Sequence, residues 1–236
     1  MKFVLIPAGK FKMGSPSSEA ERDADERQHV VEISKPFYMA MHEFTQEDYE
    51  KLIGENPSAY RDLDGLDTTR FPVEEVTWAD AVELCQKLSE KEGKTYRLPT
   101  EAEWEFACRA GTTTPFSFGT ALNGDKANCY GNSPYGTSTK GEYLRRPSPV
   151  GTYRANPFGL FDMHGNVWEF CFDWHDDAAY SNSAARDPVG PQHGTRRITR
   201  GGGWSGGADM CRSADRTNLE PDQVTDHVGI RLVFEP

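Results

Sequence analysis

Two carboxylates and a glycine carry the first chemistry in this chain. Asp162-x-x-Gly165-x-Val167-x-Glu169 offers acidic side chains and backbone carbonyls on a turn that glycine permits. Oxygen donors gathered on a bent backbone are what a hard cation such as Ca²⁺ selects. The same residues also suit a turn whose carboxylates cap backbone N–H groups. A second set is His164, Asp173, His175, Asp176, Asp177, His193 and His227. Asp173 and His175 are two residues apart, so on a strand they would share a face and could do acid–base work. Histidines in polar loops are otherwise simply solvated. The five cysteines stand at 85, 108, 129, 171 and 211. No Cys-x-x-Cys pair occurs, which leaves zinc-ribbon and thioredoxin chemistry without support. The odd count leaves at least one thiol unpaired, and reduced, buried thiols of a cytosolic protein fit the wide spacing.

The chain that must position these groups has 236 residues, enough to bury a substantial core. A net charge of −11 argues against nucleic acid as a partner, because backbone binding needs clustered Lys and Arg. The only basic clusters are Arg145-Arg146 and Arg196-Arg197 with Arg200, which are short. Mean hydropathy of −0.70, with 22 Gly and 15 Pro, describes a loop-rich soluble chain. No run approaches a membrane span, and the N-terminal apolar stretch is too short for a signal-peptide core, so the expected setting is cytoplasmic.

The segment from Asn156 to Trp174 is the densest stretch. From Trp168 to Trp174 its large aromatics fall on alternate positions, which predicts a strand with one buried face. Residues 3–6 and 10–13 around Pro7-Ala8-Gly9 predict a hairpin, 15–28 an exposed loop, and 29–34 and 37–42 two strands. Thr45-x-x-Asp48, Thr77 and Thr100-x-x-Glu103 predict three short helices, running to about Leu52, Gly93 and Gly111. Residues 111–155 are too long for a structureless loop and read as packed by local contacts or a cation. Residues 175–196 read as a polar loop. The segments 197–204, 211–216 and 228–234 read as strands.

The order of GKFKMGS, PFYMAMHEFTQEDYEKL, PVEEVTWADAVELCQKL, RLPTEAEWEFACRAG, NPFGLFDMHGNVWEF, RGGGWSGGADMCRSADR and VGIRLVF resembles the formylglycine-generating enzyme / sulfatase-modifying-factor family over nearly the whole chain. The resemblance implies a single α+β domain over 1–236, a low-regularity variant of the C-type lectin fold with few short helices and small antiparallel sheets. It implies a structural calcium ion held by Asp162, the Gly165 and Val167 carbonyls and Glu169. It also implies a second calcium site, with Asn128 as the counterpart of one ligand. Active members bind copper through two cysteines between the RGGxW strand and the following strand, as a soft Cu(I) ion requires. Here residues 205–210 read Ser-Gly-Gly-Ala-Asp-Met, and Cys211 stands alone, so copper is not expected. The family's disulfides are disrupted as well: Cys85 and Cys108 match one half of each bridge, whereas Ser213 and Leu232 stand at the partner positions.

Some relatives in that family are variable proteins of diversity-generating retroelements, whose side chains between fixed elements bind different ligands. This chain has that layout. Arg200, Gly201, Gly202, Trp204, Cys211, Arg212, Ser213, Ala214, Arg216, Pro221, Gly229 and Arg231 look fixed. Together with Trp204, the candidate ligand-binding residues are Ser205, Asp209, Met210, Asp215, Thr217, Asn218, Leu219, Glu220, Gln223, Thr225, Asp226 and His227. The expected function is binding of a protein or small-molecule ligand, without nucleic acid or membrane. A formylglycine-generating-type oxidase or a related enzyme with an unrecognised site is the alternative.

Overall fold

The computed structural model describes residues 1–178, 180 and 184–236. Both ends of the chain meet on β4 (Phe37–Ala40). β1 (Phe3–Ile6) pairs antiparallel along one side of it, with Phe3 opposite Ala40. β10 (Val233–Phe234) pairs along the other, with Val233 opposite Met39, and β5 (Tyr96–Arg97) completes the sheet. The expected hairpin between 3–6 and 10–13 is not formed. β2 (Gly9–Met13) pairs instead with β3 (His29–Ile33) as a separate two-stranded sheet. A two-residue hairpin turn needs positive φ at its first central position, and Pro7 is locked at negative φ.

Among the described residues, three helices start where threonine caps them. Thr45 accepts from the Asp48 N–H ahead of α1 (Gln46–Ile53). Complete capping boxes, Thr77 with Asp80 and Thr100 with Glu103, open α2 (Trp78–Glu92) and α3 (Glu101–Arg109). Gly54 and Gly93 close the first two in the left-handed conformation, whereas α3 closes on Ala110, with φ 46°, one residue before the expected glycine.

The aromatic segment forms β6 (Trp168–Trp174), but its burial does not alternate. Residues 168–171 are all buried, and Phe172 is 46% exposed. The cause is position: Trp168 and Phe170 face one apolar cluster, with Leu84, Leu98 and Ile230, while Cys171 faces another, with Trp104 and Ile198. A strand with core on both sides has no single buried face. β6 lies between β7 (Arg197–Arg200) and the parallel β9 (Val228–Gly229), and β8 (Arg216–Leu219) flanks β7.

The 228–234 segment is therefore two strands in different sheets, bridged by Ile230–Leu232. The Ile230 and Leu232 carbonyls accept from Phe44 and Ala40 N–H. Residues 212–215 are not a strand either, and of the expected segment only Arg216 is in one, at the start of β8. A 3₁₀ turn over Ala208–Cys211 precedes them, and Arg212 meets Asp215 at 3.3 Å, a pairing three apart that an extended strand places on opposite faces. The 15–28 segment is not wholly exposed, since Ser15 and Glu26 are buried. Residues 111–155 pack on Phe116, Leu122, Cys129 and Tyr135. Of the expected polar loop 175–196, residues 179 and 181–183 lie outside the described residues.

Candidate functional site

The 162–169 turn leads into the start of β6, and Asp162 takes a φ of 57° to make it. Its Oδ2 accepts from the Gly151 N–H at 2.6 Å. Glu169 is fully buried and committed on both oxygens. Arg231 donates to it from Nε and Nη2 at 2.7–2.9 Å, and Trp104 Nε1 donates at 2.6 Å. These donors occupy the lone pairs that a cation would use. Asn128 does not stand at a separate place: its carbonyl accepts from the Asn166 N–H in this turn, and a Cβ on Gly165 would lie 2.4 Å from that oxygen.

The residue that sequence reasoning missed is Glu43. It is fully buried, reaches Asn166 Nδ2 with Oε1, and leaves Oε2 without a hydrogen-bond partner. Asn128 Oδ1 is likewise buried and unpartnered. Burial first, and then Asp162, push the Glu43 carboxyl well above its ordinary range. Burial pushes Asp162 up to about 6. Three buried carboxylates thus face one guanidinium, Arg231. Unpartnered oxygens and surplus negative charge fit a hard cation, with Asp162, Glu43 and Asn128 as donors. The missed signal lay only in the adjacency of Glu43 to the helix start.

Behind this turn, arginines of the C-terminal motifs form a buried ionic frame. Arg212 bonds Glu26 at 2.7 and 2.8 Å and Glu19 at 2.9 Å. Arg216 clamps Glu101 at 2.8 and 2.9 Å, and Arg200 bonds Glu105 and the Asp215 carbonyl. Asp215, a candidate contact residue, is buried against Arg212 and cannot meet a ligand as the fold stands.

The candidate acid–base groups also divide. Asp173 Oδ2 accepts from the Glu101 N–H at 2.9 Å, and burial raises its carboxyl to about 8. His175 lies past the end of β6 and turns instead to Asp25 and Asp177, at 3.9 and 3.5 Å, so the expected pairing with Asp173 is not made. Asp176 and His193 are exposed. His164 is a buried strut: Nδ1 donates to the Cys211 carbonyl at 2.9 Å, Nε2 accepts from the Ser117 N–H at 3.0 Å, and burial lowers its pKa to about 4. Beside it, Cys108 Sγ faces Ser213 Oγ at 3.7 Å.

The candidate ligand residues fall into two groups. Trp204, Ser205, Asp209, Met210, Thr225, Asp226 and His227 belong to the segments around Trp204. Its ring packs edge-on against Tyr60 at 5.4 Å and stacks with Tyr143 at 6.4 Å, and its Nε1 donates to the Asp226 carbonyl. Tyr130 adds an exposed ring against Tyr143, and His227 pairs with Asp226 at 2.9 Å. Tyr60, Tyr130 and Tyr143 were not among the expected residues, because they come from segments distant in sequence. Thr217, Asn218 and Leu219 lie on β8 at the outer edge of the sheet, where the chain runs on through Glu220 and Gln223 toward α2. The Trp78 N–H bonds the Pro221 carbonyl there.

Short capped helices and small sheets around an aromatic strand, with arginine-clamped C-terminal loops, define an α+β domain of the formylglycine-generating-enzyme-like variant of the C-type lectin fold. Residues 1–236 match the model of the sulfatase-modifying factor enzyme 1-like domain, and the chain belongs to that family. It is similar to the formylglycine-generating enzyme of Streptomyces coelicolor, at 36% identity over 68% of this chain and 51% of that protein. It is also similar to the serine/threonine-protein kinase pkn1 of Chlamydia caviae, at 32% identity over 98% of this chain and 37% of that one. Among solved structures, Treponema denticola variable protein 1 superposes with a TM-score of 0.85 at 27% identity, covering 99% of this chain and 95% of that one. PvdO from Pseudomonas aeruginosa gives 0.85 at 30%, covering 99% and 94%.

Proposed function

We propose that this domain is a non-catalytic binding module that meets a protein or small-molecule ligand through the face around Trp204. The observation that carries the reading is the state of the 205–211 segment. Residues 205–210 hold no cysteine, and Cys211 behind them is fully buried. The neighbouring Cys129 thiol and burial push the Cys211 thiol well above its ordinary range. A copper-thiolate centre needs accessible thiolates, and this segment offers none.

Trp204 is itself buried and backs the half-buried Tyr60 and Tyr143; with the exposed Tyr130 and the His227–Asp226 pair, these tyrosines supply stacking area and hydrogen-bonding edges for recognition. Likeness to a variable protein supports reading positions 205–227 as changeable on a fixed frame. Directed variation of these codons among sibling genes, of the retroelement kind, belongs to the same reading. A structural calcium ion beneath the face, on Asp162, Glu43 and Asn128 with the Gly165 and Val167 carbonyls, completes it.

The second reading, a formylglycine-generating oxidase, draws on the names of relatives. The deciding experiment incubates the protein with Cu(I), oxygen and a peptide containing Cys-x-Pro-x-Arg. The binding-module reading expects an unchanged peptide mass. Conversion of the peptide cysteine to formylglycine refutes it.

A further inference from the structure

Cys129 and Cys211 are 82 positions apart in sequence and share one buried cluster in the fold. Both side chains belong to the apolar cluster that contains Phe116, Leu122, Tyr135 and Ala208, and the Cys129 thiol helps to push the Cys211 thiol above its ordinary range. Both residues are buried, at 1% and 0% exposure. Backbone bonds hold the two segments together on either side. The Tyr130 N–H donates to the Gly206 carbonyl at 2.7 Å, and the Ala208 N–H donates to the Ser133 carbonyl at 3.0 Å. Cys108, by contrast, faces the hydroxyl of Ser213.

We propose that Cys129 and Cys211 are a cross-linking site, at which a reversible disulfide staples the 128–133 loop to the 204–211 segment. The oxidant is a low-molecular-weight disulfide such as oxidised glutathione. One protein thiolate displaces a glutathione thiolate and forms a mixed disulfide. The second protein thiolate attacks the protein sulfur of that bond and releases the second glutathione. Two S–H bonds of the protein are replaced by one S–S bond, and both protons end on the two glutathione thiols. Burial keeps the thiols protonated, so closure waits on local opening of the 204–211 segment. Reduction of the finished bond waits on the same local opening.

The staple sits directly under the exposed face. Tyr130 follows Cys129, Met210 precedes Cys211, and both flanking side chains are exposed, at 37% and 44%. Closing the bond fixes these two side chains relative to each other. The inference stands apart from the ligand reading, because its readout is covalent.

The test treats the native protein with oxidised glutathione, blocks remaining thiols with iodoacetamide, and maps peptides by mass spectrometry. The expected product is lighter by two hydrogens, contains a peptide joining Cys129 to Cys211, and melts at a higher temperature than the reduced form. Dithiothreitol reverses all three changes. Cys129→Ser and Cys211→Ala, each checked for folding by circular dichroism, lose the linked peptide and the melting shift. A linked peptide through other cysteines, a lasting glutathione adduct on one of the pair, or full alkylation of both after oxidation overturns the proposal.

Discussion

Arg231 holds Glu169 through Nε and Nη2, at 2.7–2.9 Å, with both side chains completely removed from solvent. The remaining Arg231 donors reach the Ala40 and Phe161 carbonyls at 3.0 and 2.9 Å. One guanidinium therefore ties β4, the 156–162 loop and β6 together. Removing one partner of such a pair leaves a buried charge unanswered, at a cost of about 3–5 kcal/mol. Arg231→Met is expected to lose that much in urea unfolding. Arg231→Met with Glu169→Gln is expected to lose less than the sum of the single changes, which a double-mutant cycle measures.

Asp173 supplies a pH signature. Its folded pKa is about 8 against an ordinary value of 3.8, so the native state keeps a proton that the unfolded chain gives up. The stability carried by that proton is complete below the unfolded value and is lost as pH rises through 8, at about 1.4 kcal/mol per unit. His164, lowered to about 4, has the opposite slope between that value and its ordinary 6.5. The informative quantity is thus the difference between wild type and Asp173→Asn, whose amide oxygen still accepts from the Glu101 N–H. The variant should gain relative stability with rising pH and be the more stable protein at pH 8. A constant difference across pH 5–9 would refute this protonation state.

The surplus of buried carboxylate at Glu43, Asp162 and Glu169 predicts calcium dependence. Chelator should lower the melting temperature, and added Ca²⁺ should restore it, with about 2.7 kcal/mol of stabilisation at a hundredfold excess over Kd. Glu43→Gln and Asp162→Asn should each abolish the shift. Identical melting with chelator and with calcium would sink the assignment.

Arg197 lies between two indoles, 3.5 Å from the ring centre of Trp78 and 3.4 Å from that of Trp174, and donates to the Phe172 carbonyl at 2.5 Å. Arg197→Leu removes the sandwiched cation and a donor together. The expected loss is about 2 kcal/mol, with a change in tryptophan emission of the folded protein. Unaltered emission and stability would contradict the sandwich.

What could be read from sequence was local. The helix starts were legible because a capping box is complete within four residues, as at Thr100 and Glu103. The acidic turn was recognisable from Asp162 to Glu169. Its partner Glu43 was not, since Asn166 meets it across 123 positions and no spacing rule reaches that far. The alternating aromatics identified β6 as a strand but not its surroundings, so Phe172 was placed inside when it lies on the surface. Cys129 and Cys211 read as isolated thiols for the same reason.

The ionic frame also imposes an order on biosynthesis. Glu19, Glu26 and Glu43 leave the ribosome long before Arg212 and Arg231, their buried partners, separated from them by as many as 193 positions. Until those arginines emerge, collapse of the amino-terminal half would trap unanswered negative charge. The amino-terminal half therefore cannot close on its native charge pairs until synthesis through Arg231 is complete. Contacts this distant also make for slow closure once it is.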